Sequence, residues 1–273
     1  MNMHGYHALH SDARLRRMAP DERQSSHEKM VTSGLVQAAM ANQTLNRYSN
    51  IFPYDHALAP CSIGYCNASR IDFPEAKYII ASGPMAEAFY GPDTRATFWH
   101  TALENDVTVM VGLAAFRPGF SECADYLQPR QYGAWNLARS DEVRRNESLV
   151  VRDLELTNVE TKQSKHVRHF HFLAWPNYSV TSPTQVCDLI KDVDEDWGGN
   201  GRILVHCSGG VGRSGVFVAA HRTYRCKPNS PSEASKIIYE TVVKLRELRH
   251  PWMVEGEHQY NLIQDVVYSI NGW

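Results

Sequence analysis

The stretch from residue 202 to 215 restricts the fold more than any other. Residues 202–205 (RILV) form a short apolar run that reads as a buried strand. It leads straight into His206-Cys207-Ser208-Gly209-Gly210-Val211-Gly212-Arg213-Ser214-Gly215. Three glycines follow Cys207 within five residues, so a tight turn is expected, with a helix from Arg213 to about residue 225. A strand that ends in such a turn and opens a helix belongs to an α/β layered fold.

That turn is built for an anion. Without side chains at Gly209, Gly210 and Gly212, the backbone N–H groups of Ser208 to Gly212 can point inward and approach a ligand closely. The helix N-terminus adds partial positive charge at the same point. Arg213 supplies a planar fork that fits two oxygens of a tetrahedral anion. The same field acts on Cys207: an ordinary thiol titrates near about 8.5, and such surroundings bring it to roughly 3.5–7.5. Cys207 is then a thiolate nucleophile at neutral pH. Ser214 can hydrogen-bond the sulfur and help it leave in a second step. A dinucleotide site is disfavoured, because the G-x-G spacing is wrong and no strand–acid pair follows about twenty residues on.

The rest of the chain alternates helical and extended patterns. Residues 1–25 are polar and read as a loose N-terminal arm; 26–273 read as one domain. A modest helical pattern covers 26–48. Residues 94–104 suit a helix, 107–113 a buried strand, and 149–158 and 166–175 alternating strands. A helix is predicted over 184–197 after Ser182-Pro183. Ser230-Pro231-Ser232-Glu233 is a capping box that opens a helix with Ala234, Ile237, Ile238, Val242, Leu245 and Leu248 on one face. A last helix is predicted over 257–270.

Composition then narrows the function. Twenty-eight Lys and Arg against 30 Asp and Glu give a net charge of −2, which supplies no electrostatic reason for a nucleic acid or anionic membrane partner. No apolar run of about 18 residues occurs, so no insertion into a bilayer is expected. Six cysteines are too sparse for a disulfide scaffold, and the N-terminus lacks the apolar core of a secretory signal. A cytoplasmic, reducing compartment is expected, or a host cytosol into which the protein is delivered. His166, His169 and His171 lack partners at ligand spacing, so no metal and no cofactor is called for. The oligomeric state stays open.

With these residues in view, the sequence resembles the Cys-based, phosphotyrosine-specific protein-tyrosine phosphatases. HCSGGVGRSG is the strongest match. In order along the chain, Asn46-Arg47-Tyr48 resembles the phosphotyrosine-recognition loop, Tyr65-Cys66-Asn67-Ala68-Ser69 a Tyr-x-Asn-Ala-Ser segment, and Ser82-Gly83-Pro84 a Gln-Gly-Pro. Phe98-Trp99 matches a helix motif and Trp175-Pro176 the movable general-acid loop. Residues 253–260 (MVEGEHQY) resemble the loop whose two glutamines position water. The resemblance implies one α/β domain with a twisted mixed β-sheet flanked by helices. It also implies attack by Cys207 on phosphorus, oxygens held by Arg213, a phosphocysteine, and hydrolysis by water. Tyr48 would line a deep cleft that admits phosphotyrosine, so the partners implied are phosphotyrosine-containing proteins.

The departures from the family pattern fall on the chemistry. Asn177 stands where the general-acid Asp belongs, and it has no titratable proton. An ungapped reading back from Cys123 puts Arg117 where the family has the Glu that pairs with the phosphate-binding Arg, and Glu122 where it has a Lys. On that reading Arg213 loses its orienting partner. Glu255 replaces the first water-loop Gln, whereas Gln259 keeps the second; Glu255 is either a loss of function or a base that activates water. Asn50 replaces an Asp that bonds the substrate backbone, and Ser49 an often basic residue. Three readings follow: a phosphatase with slow chemistry; a pseudophosphatase that binds and shields phosphotyrosine; or another user of the same loop, such as a lipid phosphatase or sulfur transferase. The third is weakened because Ser208 to Gly212 contains no basic residue.

Overall fold

The computed structural model describes residues 20–86, 91–116, 122–138, 142–176 and 179–273. Its strands in chain order are β1 (Ala68–Asp72), β2 (Lys77–Ala81), β3 (Val107–Gly112), β4 (Arg130–Tyr132), β5 (Trp135–Leu137), β6 (Glu142–Arg144), β7 (Leu149–Asn158), β8 (Ser164–Phe172) and β9 (Arg202–His206). They form one sheet in the order β1-β2-β9-β3-β8-β7-β5-β4, with β6 paired to β7. The pairs β2–β9, β9–β3 and β3–β8 are parallel. The pairs β1–β2, β7–β8 and β5–β7 are antiparallel. The sheet is therefore mixed, as expected.

The helices are α1 (Pro20–Thr32), α2 (Gln37–Ala41), α3 (Arg95–Glu104), α4 (Pro183–Trp197), α5 (Gly212–Cys226), α6 (Pro231–Leu248) and α7 (Glu257–Asn271). One core joins α4 to α7 with Ile203 and Val205 of β9, Val109 and Val111 of β3, and Tyr78 and Ile80 of β2. The opposite face packs Phe98, Trp99, Ala102 and Leu103 of α3 against Leu204, Met110 and Ile79. The central strands are thus covered on both sides, which is why residues 203–205 are apolar without alternation.

Two expectations need correction. The single helix expected over 26–48 is two helices and a 3-10 turn at Gln43–Leu45, and the first begins at Pro20, inside the segment read as an arm. Residues 1–19 lie outside the described residues. The strand expected over 166–175 ends at Phe172, and from His169 onward it is buried on both faces. The capping box at α6 is present: Ser230 Oγ accepts the Glu233 N–H at 3.2 Å, although the Glu233 carboxylate accepts from Asn229 N–H at 2.8 Å.

A buried ring cluster ties β8 to β9. Tyr126 Oη lies 2.6 Å from His206 Nε2 and 2.8 Å from His169 Nε2. His206 Nδ1 faces the Cys207 carbonyl at 3.2 Å, and His171 Nε2 the Ala114 carbonyl at 2.8 Å. The pattern closes with neutral rings. His206 Nδ1–H donates to the carbonyl, Tyr126 O–H donates to His206 Nε2, and His169 Nε2–H donates to Tyr126. Burial lowers His206 to about 3, His171 to about 4 and His250 to about 3, and holds His169 well below the ordinary histidine value.

The unfolded chain binds protons at these histidines near pH 6.5, whereas the folded chain does not until pH 3–4. Their contribution is whole above pH 6.5 and is lost as pH falls toward 4, at about 1 kcal/mol per histidine per pH unit. The urea midpoint is expected to drop steeply between pH 7 and pH 5, above the range where paired carboxylates titrate. A flat midpoint across that interval would show that the rings are protonated in the fold.

Candidate active site

Cys207 follows the last residue of β9, between the ends of β2 and β3: His206 pairs with Ala81 on one side and Gly112 on the other. This is the carboxyl edge of the parallel strands, where open α/β sheets hold their ligands. The loop then turns over that edge and opens α5. Its carbonyls are bonded from behind. Gly83 N–H donates to Ser208 O at 2.9 Å and Ser82 Oγ to Gly209 O at 2.9 Å. Arg249 Nη2 and Nε donate to Gly209 O and Gly210 O, each at 3.2 Å. With its carbonyls drawn outward, the loop turns its amides toward the cavity. Gly210 N–H donates to Cys207 Sγ at 3.2 Å.

Two glycines are required by this packing. Gly210 has φ +68°, and a Cβ there would lie 2.3 Å from Ala81 O. A Cβ at Gly83 would lie 2.7 Å from Cys207 O. Arg249 is fully buried, also donates to Asn67 Oδ1 at 2.7 Å, and is pulled down to about 10 by burial. Sequence reasoning missed it, because an Arg in the last turn of a helix normally reads as a solvated partner of the helix dipole.

The electrostatics favour an ionised sulfur. Burial alone would push the Cys207 thiol up. The Arg213 charge, the Ser214 hydroxyl and the Ser214 and Val211 N–H groups outweigh burial and hold it below the usual thiol value. Arg213 Nη1 donates to Leu113 O at 2.8 Å and Trp175 O at 2.9 Å, and Glu122 Oε2 lies 2.6 Å from the same nitrogen. The expectation that Arg213 lacks an orienting carboxylate is therefore wrong. The ungapped loop reading assigned that duty by position, whereas the chain path brings Glu122 to it. Arg117 lies outside the described residues, as does Asn177.

A cavity of about 360 Å³ opens over the loop. Tyr48, Ile51, Val211 and Trp252 give it apolar walls, and Cys207, Ser208, Gly209, Gly212, Arg213, Glu255, Gln259, Asn50 and Gln24 complete it. Tyr48 Oη lies 2.7 Å from Ser208 Oγ. The segment before Tyr48 is fastened from several sides. Asn46 Oδ1 accepts from Tyr65 Oη at 2.6 Å and Asn67 Nδ2 at 2.7 Å, while Arg47 donates to Gly83 O and Pro84 O. Of the residues singled out in the sequence, Gly210, Ser214 and Trp175 are buried outside this lining, Trp175 acting on Arg213 through its carbonyl. Gln24, on α1, and Trp252 were not anticipated. Gln24 carries no local mark of a site, and Trp252 lies just before the segment 253–260 that resembles the water-positioning loop.

The profile of the family described as Protein-tyrosine phosphatase matches residues 42–269. The human receptor-type tyrosine-protein phosphatase eta is 29% identical over 246 residues, covering 84% of this chain and 18% of that relative. The Arabidopsis thaliana protein-tyrosine-phosphatase PTP1 is 30% identical over 214 residues, covering 71% of this chain and 61% of that protein. The chain thus spans less than two thirds of either. A solved structure of PTPN18 in complex with HER2-pY1248 phosphopeptides superposes with a TM-score of 0.77 at 24% identity, over 92% of this chain and 97% of that one. That last likeness is one of fold.

Glu122 meets the Arg213 guanidinium at Nη1, so its loss should misorient an arginine that the Leu113 and Trp175 carbonyls still hold. Glu122→Gln is expected to weaken vanadate binding about tenfold, or roughly 1.4 kcal/mol. Titration calorimetry with an unchanged dissociation constant would show that the two carbonyls alone hold Arg213.

Proposed function

Because the chain belongs to the protein-tyrosine phosphatase family, we propose that it hydrolyses phosphotyrosine in protein substrates through a phosphocysteine on Cys207, with slow first-step chemistry. The observation that carries this reading is the lowered Cys207 thiol beside Arg213, inside a loop whose Ser208, Gly209 and Gly210 carbonyls are bonded from behind. Cys207 Sγ attacks phosphorus in line with the departing phenolate. The inward amides and Arg213 hold the three equatorial oxygens and meet the charge that develops on them. Tyr48 and Val211 flank the substrate ring, so an aryl phosphate reaches the sulfur and a shorter phosphoserine does not. A reducing, cytosol-like compartment suits six cysteines that carry no disulfide.

The slow step follows from residue 177. The phenolate that leaves has a conjugate acid of pKa about 10, and Asn177 cannot protonate it. Loss of general-acid help costs on the order of 10²–10⁴ in rate, or roughly 3–5 kcal/mol. The same residue favours a second reading, in which substrate dwells in the cleft and the protein binds and shields phosphotyrosine.

An aryl phosphate with an acidic leaving group needs no proton and separates the two. It is expected to turn over far faster than a phosphotyrosine peptide, with Cys207→Ser abolishing both activities. Asn177→Asp should raise peptide turnover by about 10² and narrow the gap. Tight peptide binding with no hydrolysis of either substrate would establish the shielding role instead.

A further inference from the structure

Glu255 lies in the connection between α6 and α7, and three observations aim it at the reaction. First, a Cβ at Gly212, where the cradle becomes helix, would lie 2.8 Å from Glu255 Oε2 and 2.8 Å from Gln259 Nε2. The two side chains therefore converge on one edge of the oxyanion loop. Second, among the described residues Glu255 is the one carboxylate that lines the cavity. Third, the backbone is strained to put it there. Val254, which precedes it, has φ +62°, a genuine outlier for a β-branched residue that costs about 1–3 kcal/mol. The strain is held by neighbours: Arg246 Nε donates to Met253 O at 3.0 Å, and Val254 N–H to Val211 O at 3.4 Å. Glu255 N–H donates to Gln259 Oε1 at 2.8 Å, which turns the Gln259 amide nitrogen toward the loop.

We propose that Glu255 is a catalytic residue, the general base of the second step, a role that rests on the phosphocysteine reading above. Water attacks phosphorus from the side opposite sulfur. An O–P bond forms as the P–Sγ bond breaks, and the bonding pair leaves with Cys207 as thiolate. The proton of the attacking water passes to the Glu255 carboxylate and from there to solvent, and inorganic phosphate departs. Gln259 Nε2 orients the water. Nearby phosphoryl oxygens repel the carboxylate and so favour its taking up a proton, while Arg213 and the loop amides offset the phosphoryl charge. A chain with Asn at 177 has no carboxylate at that position to do this work, and Glu255 supplies one from the lining of the cavity.

The test is a single-turnover experiment with an aryl phosphate of low leaving-group pKa, quenched in acid, with phosphocysteine followed by mass spectrometry. Glu255→Gln keeps the size of the side chain but cannot take a proton. It is expected to form phosphocysteine at the unaltered rate and to break it down about 100-fold more slowly. The acid limb of the breakdown pH profile should disappear, and Glu255→Asp should restore part of the rate. Phosphocysteine that forms and decays equally fast in the Gln variant overturns the role of Glu255 and leaves the phosphatase reading standing. An unaltered protein that never forms phosphocysteine overturns both.

Discussion

The arrangement around Cys207 depends on a guanidinium that never meets the substrate. Arg249 is buried behind the loop and donates to the carbonyls of Gly209 and Gly210. An amide plane has two ends, so pulling the oxygen backward turns the N–H forward. Ser82 Oγ adds to the pull on the Gly209 carbonyl, and Gly83 N–H does the same for that of Ser208. The result is a ring of fixed dipoles that needs no reorganisation when an anion arrives. Burying a charge is costly unless its hydrogen bonds are met. Arg249 offsets part of that cost through Nε and Nη2, which reach Asn67, Ser82 and the loop carbonyls, while its buried Nη1 has no hydrogen-bond partner among the described residues.

Charge at the site is balanced locally. The guanidinium of Arg213 faces the Glu122 carboxylate on one edge and the Cys207 sulfur within the same cradle. The histidines beneath the loop add no charge, because burial keeps His206 and His169 neutral. A protonated His206 would add a second cation under the thiolate. As a neutral ring it instead links the Cys207 carbonyl to Tyr126 and holds the end of β9 in register. Besides the Cys207 sulfur, the cavity above has Arg213 and Glu255 as its charged lining residues among those described.

How much of this was legible depends on the range of the interaction. The strand, turn and helix at 202–226 were readable because apolar run, glycines and helix opening are local signals. The helices α3 to α7 were readable for the same reason. The three-residue strands β4, β5 and β6 were not, since they are too short to show a period and exist only by pairing to β7 or to each other. The partner of Arg213 was misread because counting back from Cys123 treats a loop as a ruler, and loops do not keep spacing.

The sequence by itself determined the chemical identity of the nucleophile, the glycines that allow its cradle, and the want of a titratable group at 177. These are covalent facts, or consequences of a few adjacent backbone angles. Only the tertiary structure decided that Glu122 faces Arg213, that Arg249 holds the loop from behind, and that Glu255 and Gln259 converge over Gly212. Each joins residues on different elements, and their meeting depends on the order of strands in the sheet and the packing of helices on it, which no local pattern encodes.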